Sequence, residues 1–101
     1  MKCLEDGHDY LLDSLEEGGE QQMIRFVDRT PGRPWYNGTT HEEVIKMLID
    51  RFQYFQASEL CCRESAIVLT KLEEALHWME HRTRLRESQG IVGLMVAHKS
   101  K

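Results

Sequence analysis

Apolar residues at Val44, Ile45, Leu48, Ile49, Phe52 and Phe55 recur three and four positions apart, the spacing that lays one continuous stripe along a helix. The pattern predicts a helix over 40–56 with Thr39 or Thr40 as its N-cap. Thr40-His41-Glu42-Glu43 fits a capping box, in which Glu43 reaches back to the cap's N–H, and both acids suit the positive end of the helix. A second stripe, Ala66, Leu69, Leu72, Leu76, Met79 and Thr83, predicts a helix over 63–88 that stops before Gly90. Ser58-Glu59-Leu60-Cys61-Cys62 is too short to do more than connect them, so the pair reads as an antiparallel helical hairpin.

The pattern ahead of the hairpin is different. Asp6-Gly7 and Glu16-Glu17-Gly18-Gly19 are turn signals, and the segments around them alternate as short strands do. A meander is expected, with strands near Lys2–Leu4, His8–Leu15 and Gln21–Asp28, too small to stand without packing on something. Residues 29–38 hold two prolines and two glycines and read as a linker, in which Trp35 and Tyr36 serve either as lid residues over a ligand or as plugs that seat the loop. The expected fold class is α+β: a small N-terminal antiparallel β-meander followed by an antiparallel two-helix hairpin. One domain spans 1–101, divided into the meander at 1–29, the linker at 30–39, the hairpin at 40–88 and a tail at 89–101.

At a rise of about 1.5 Å per residue the first helix spans ~25 Å and the second ~39 Å, so the second should overhang by ~14 Å and carry Arg82-Thr83-Arg84-Leu85-Arg86 on the overhang. So few elements cannot also cover Ile67, Val68, Trp78 and Met79, and a homo-oligomeric interface is expected to do so.

Composition narrows the classes. The 101 residues are 41% apolar and 30% charged, with 13 Lys and Arg against 17 Asp and Glu. A chain of this length has a modest core, burying roughly two-thirds of its unfolded surface. Its net charge of −4 argues against general binding to duplex DNA or RNA. No apolar run approaches a membrane span and the N-terminus lacks a signal peptide's apolar stretch, so the protein is expected to stay in the cytoplasm where it is made, away from membranes. Three cysteines, two of them adjacent, point to a reducing compartment. The charge is uneven: residues 1–20 carry seven acids against Lys2, while 82–101 carry five bases against Glu87. Solvated faces and helix ends account for such asymmetry, which would also send an anionic ligand toward the C-terminal third.

Catalytic and metal signatures are weak. His77 and His81 share a helical face at i,i+4 but lack a third ligand, and no nucleophile elbow, P-loop or dinucleotide fingerprint occurs. No cofactor is expected, and an enzyme is the minority reading. Binding chemistry fares better. The start of the second helix offers free N–H groups, Arg63 and Ser65 to a phosphate, although Glu64 and Ser65 also suit plain capping. Arg82 and Arg86, one turn apart, can converge on one anion or simply complement the helix C-terminus. Phe52, Tyr54 and Phe55 are stacking faces for a base or core residues.

Several strings carry more than the pattern. Lys2-Cys3-Leu4-Glu5-Asp6-Gly7-His8, Asn37-Gly38-Thr39-Thr40, Leu48-Ile49-Asp50-Arg51, Cys62-Arg63-Glu64-Ser65-Ala66, Thr70-Lys71-Leu72-Glu73-Glu74-Ala75-Leu76 and Arg82-Thr83-Arg84-Leu85-Arg86 resemble the phage Thoeris anti-defence family, type one, to about Gly90. The hairpin is similar to that of the phage anti-CBASS cyclic-nucleotide sponges. The resemblance implies a stoichiometric sponge: such proteins capture cyclic ADP-ribose isomers made by host TIR-domain proteins, some hold CBASS cyclic trinucleotides, and they form dimers that build hexamers. It implies that Phe55 contacts the adenine or ribose of the cyclic ADP-ribose isomer. Arg63 and Ser65 fall in the family's Arg-Glu-Asn motif, with serine in place of asparagine; serine keeps a donor and an acceptor but loses the amide's reach. Arg82 and Arg86 match the paired arginines assigned to the cyclic-trinucleotide site. The tail is more apolar than the family's polar ending. The alternative from another class is a protein-interaction module that blocks a host defence protein directly; a hydrolase using His77 or His81 is a third.

Overall fold

The structure, a computed structural model, describes residues 1–89. Apart from Gln89, the tail expected at 89–101 lies outside the described residues. Three strands, β1 (Lys2–Glu5), β2 (Asp9–Leu12) and β3 (Gln22–Arg25), precede two helices, α1 (His41–Gln56) and α2 (Arg63–Ser88). The fold is α+β, as the sequence pattern requires. The described chain forms two compact units, Met1–Thr40 and one that starts at His41.

In the first unit the strands make an antiparallel sheet in the order β1-β2-β3. Cys3, Tyr10 and Ile24 stand opposite one another, and Tyr10 also meets Phe26 edge-on at 6.0 Å between ring centroids. Asp6-Gly7 does turn the chain, with His8 N–H bonded to Glu5 O at 2.9 Å. Gly7 alone takes a positive φ, 76°, and the pairing register shifts between Cys3 and Glu5. That combination is a turn with a bulge, not a two-residue hairpin, whose primed turns need positive φ at the first central position, here Asp6. The sequence predicts β2 through Leu15 and β3 through Asp28; both strands are shorter. Ser14 Oγ donates to the Glu20 carbonyl, which folds residues 13–21 into a loop. Phe26 N–H still bonds His8 O at 2.8 Å, and from Val27 on the chain bonds to the segment read as a linker.

That segment is stitched down. Asp28 and Tyr36 exchange both backbone hydrogen bonds, at 3.0 and 3.1 Å, while Thr39 N–H bonds Arg25 O at 2.8 Å and Val27 N–H bonds Thr39 O at 3.0 Å. A Cβ on Gly38 would stand 2.6 Å from Arg25 O, so only glycine allows the return strand this close. Trp35 and Tyr36 are both more than half exposed, which corrects the reading of them as plugs. Arg29 instead lies over Trp35, 5.2 Å from the ring centroid.

In the second unit α1 and α2 pack antiparallel. Among the half-buried side chains of α2, Ser65, Leu69, Leu72, Leu76, Met79 and Thr83 form a stripe of three-and-four spacing, flanked by Ala75, His81, Leu85 and Arg86. Ser65 replaces Ala66 as the first member of the expected stripe, since Ala66 is exposed. The hairpin is fastened at both ends. Gln56 accepts from Cys62 N–H at 3.1 Å and donates to Cys62 O at 3.2 Å across the connector. Thr83 Oγ1 donates to Glu42 Oε2 at 2.9 Å at the far end.

The second fastening changes the expected overhang. Because the first turn of α1 reaches Thr83, only the five residues from Arg84 to Ser88 project beyond it, ~8 Å instead of ~14 Å. Arg82, next to Thr83, therefore lies beside α1 instead of on a free extension. α2 ends where Gln89 N–H bonds the carbonyls of Leu85 and Arg86.

No apolar side chain among the described residues is buried; Asp28, 3% exposed, is the buried residue. Trp78 is 64% and Tyr54 69% exposed. Among the described residues no helix is long and apolar enough to cross a membrane.

Candidate functional site

The residues singled out in the sequence fall into two groups at opposite ends of the hairpin. Phe55, Arg63 and Ser65 belong to the connector end; Arg82 and Arg86 belong to the end fastened by Glu42 and Thr83. From Ser65 to Thr83 along α2 is ~27 Å at the helical rise. One small ligand cannot touch both groups within a single copy.

At the connector end, α1 delivers the aromatic ring and α2 delivers its N-terminus. Phe55 is half-buried, meets Tyr54 edge-on at 5.1 Å, and carries the Arg51 guanidinium 5.0 Å above its centroid. The Gln56 clamp sets the neighbouring start of α2. Cys62, in extended backbone at φ −154° and ψ 162°, is the N-cap, and its sulfur accepts the Ser65 N–H at 3.4 Å while lying 3.1 Å from Ser65 Oγ. Capping by Glu64 or Ser65, the plain reading of this segment, is therefore corrected: Cys62 caps, and Ser65 is the residue capped. The Ser65 hydroxyl and N–H, in that order, pull the Cys62 thiol below its ordinary range. Arg63 is largely in solvent, with a loose 3.9 Å pair to the adjacent Glu64. Such an end joins one aromatic face, two arginines and a positive helix terminus, a combination that suits a nucleotide's base and phosphate.

At the other end, Arg86 is half-buried and Arg82 exposed. Burial first, and then the like charge of Arg82, lower the Arg86 pKa from its usual value. The two like charges repel, and an anion held between the guanidiniums would offset that repulsion.

The Met1–Thr40 unit holds a polar cluster that the sequence reading passed over. Asp28 accepts from Thr30 N–H at 3.0 Å and faces His8 Nε2 and Arg33 Nη2, each at 3.4 Å; Arg33 also reaches Glu5 at 3.2 Å. Arg25 forks onto Asp9 with bonds of 3.0 to 3.2 Å. Hydrogen bonding from Thr30 holds the Asp28 carboxyl below the usual carboxylate range against the opposing effect of burial, with smaller help from Arg33 and His8. These groups line a cleft of about 280 Å³ with Phe26 and Tyr36. The available signal was Asp28-Arg29-Thr30, the spacing of an Asx turn.

His77 and His81 both stand edge-on to Trp78, at 5.5 and 5.6 Å. Among the described residues no three His, Cys, Asp or Glu side chains are placed to share a metal. Cys3, Cys61 and Cys62 are free thiols, all exposed.

Comparison with known proteins decides the family. The family model described as the Acb2/Tad1 hairpin domain matches residues 19–84, well over half of the chain. The chain belongs to the Acb2/Tad1 hairpin-domain family. The matched span takes in Phe55, Arg63, Ser65 and Arg82 and ends just before Arg86. A relative, "Thoeris anti-defense 1" of Bacillus phage SBSphiJ7, is 54% identical over 57 residues, which are 56% of this chain and 40% of that protein. The chain thus spans well under half the length of that relative in the matched region. The Thoeris anti-defence resemblance read from the sequence holds at the level of family.

Proposed function

We propose that this member of the Acb2/Tad1 hairpin family is a phage anti-defence protein that binds cyclic nucleotide immune signals in the host cell and keeps them intact. The signals are cyclic ADP-ribose isomers, made by Thoeris TIR-domain proteins, at the connector end and CBASS cyclic trinucleotides at the Arg82/Arg86 end. The observation that carries the reading is the arrangement of the hairpin: an aromatic face beside the N-terminus of α2 at one end, and a crowded arginine pair ~27 Å away at the other. The name of the phage relative supports the anti-defence role.

Sequestration sets a demand on affinity. To deprive a sensor of its signal the protein needs nanomolar binding, about −12 kcal/mol. Base stacking supplies ~1–3 kcal/mol per base and each charged hydrogen bond ~1.5–3 kcal/mol, so an open surface falls short and enclosure is needed. A second copy of the chain supplies it in this reading, covering apolar side chains such as Tyr54 and Trp78 that one copy leaves exposed. The protein acts by retention, not by turnover.

The test is to incubate the purified protein with cyclic ADP-ribose isomers, denature it and recover the ligand by mass spectrometry. Intact ligand in stoichiometric amount is expected; degraded ligand or none overturns sequestration. The exposed aromatic faces also favour a second reading, direct blockade of a host defence protein, which a stable host partner in pull-down together with no thermal shift from any cyclic nucleotide would support.

A further inference from the structure

Arg25, Arg33 and Arg63 each pair with a carboxylate. Arg51 does not: it is exposed, makes no ion pair among the described residues, and holds its guanidinium carbon 5.0 Å above the Phe55 ring, one helical turn away. Tyr54, 69% exposed, presents its ring at 83° to the same Phe55. The cation is therefore held over an aromatic face with no carboxylate partner among the described residues, as Arg29 is over Trp35 in the other unit.

We infer that Arg51 is a phosphate-pairing residue of the connector-end site, its guanidinium taking the diphosphate of a nucleotide whose base or ribose lies against Phe55. This rests on the reading of that end as a nucleotide site. A guanidinium stacked on a ring points its N–H donors outward, around its own plane, where a phosphate accepts two at once. Stacking also holds the side chain in place before the ligand arrives, so less freedom is lost on binding. The Gln56–Cys62 clamp keeps the N-terminus of α2, the positive end of its dipole, at the same end as Phe55, so the diphosphate meets the Arg51 charge and the α2 dipole together. Lysine has the charge but neither the planar fork nor the stacking. The competing account is an i,i+4 pair that merely steadies α1, which would touch stability and leave binding alone.

The experiment is calorimetric titration of the full chain with cyclic ADP-ribose isomers and with linear ADP-ribose, at low and high salt, for wild type, R51Q and R51K, with thermal unfolding alongside. R51Q is expected to weaken binding at least tenfold and to flatten its salt dependence, R51K to recover part of the loss, and the thermal midpoint to stay in place. R51Q binding as tightly as wild type, or losing affinity only in step with its thermal midpoint, overturns the inference. Wild type that ignores the cyclic isomers but takes up ADP-ribose through Arg51 sinks the cyclic-signal reading and upholds this one. Wild type that binds neither sinks both.

Discussion

Thr83 donates to Glu42 across 41 residues of sequence, and this bond of 2.9 Å sets where the arginines of α2 lie. It places Arg82 beside the first turn of α1, the positive end of that helix, and Arg86 one turn further along. Glu42 is the carboxylate at this end shown bonding across the hairpin. Thr83→Val removes the donor and keeps the shape. We expect it to cost about 1 kcal/mol in urea denaturation, the low end for a bond to a charged group because the site is only partly buried. Glu42→Gln keeps an acceptor and should cost less, while tightening trinucleotide binding by removing a negative charge. Equal stability of wild type and Thr83→Val would show the fastening to be incidental.

Cys62 is an unusual cap. Serine, aspartate and asparagine accept an N–H better than a thiol does, so Cys62→Ser should stabilise α2 by up to ~1 kcal/mol, read as a rise in thermal midpoint. The same contacts make the thiol acidic. Because the Ser65 hydroxyl and N–H hold its pKa below the ordinary range, thiolate persists to lower pH and Cys62 should alkylate at pH values where an ordinary cysteine is slow. Ser65→Ala removes the larger cause and should move the half-maximal alkylation rate to higher pH. Peptide mapping after timed iodoacetamide treatment reads this directly, and bound ligand should protect the residue.

Legibility in the sequence tracked periodicity. α2 was read as 63–88 and runs Arg63–Ser88, because six stripe positions over twenty residues leave one way to turn the helix. The strands were overextended because β-propensity says where a strand can run, not where a competing bond ends it: neither Ser14 turning onto Glu20 nor Asp28 pairing with Tyr36 leaves a local mark in the pattern. Pro31 and Pro34 hid the second of these, since a segment rich in breakers reads as free chain even when its ends are hydrogen-bonded into the unit. Likewise Phe55 was legible as an aromatic on a stripe, but Arg51 over it was not, because an arginine four residues earlier looks like any solvated charge. Helix lengths alone fix no register, so the overhang is set by one Thr–Glu contact that the pattern does not show.

Asp28 links the pH response to the first unit. Its pKa is depressed in the folded state, chiefly by Thr30, so its contribution is fully present above the unfolded carboxylate value and is lost as the pH falls through the folded one. At pH 7, Asp28→Asn should lower the thermal midpoint, since the amide keeps the bond from Thr30 N–H but loses attraction to Arg33. Below about pH 4 the difference between variant and wild type should shrink as the wild-type carboxyl protonates. A gap that stayed constant from pH 7 to pH 2.5 would mean that shape, not charge, holds Asp28 in place.

The arginine pair offers the sharpest separation of structure from function, because the two roles predict opposite signs. Arg86 is half-buried and its charge is disfavoured by burial and by Arg82, so removing Arg82 relieves repulsion in the free protein. Arg82→Ala should therefore leave the thermal midpoint unchanged or raise it slightly, whereas a purely structural cation at a helix C-terminus would lower it on removal. The double variant Arg82→Ala, Arg86→Ala should lose cyclic-trinucleotide binding and still retain a cyclic ADP-ribose isomer, since Ser65, at the same end as Phe55, lies ~26 Å from Arg82 along α2. Calorimetry with both ligands on the double variant checks this. Joint loss of both would place them in one shared site completed by a neighbouring copy, and retention of the trinucleotide would remove these arginines from its binding altogether.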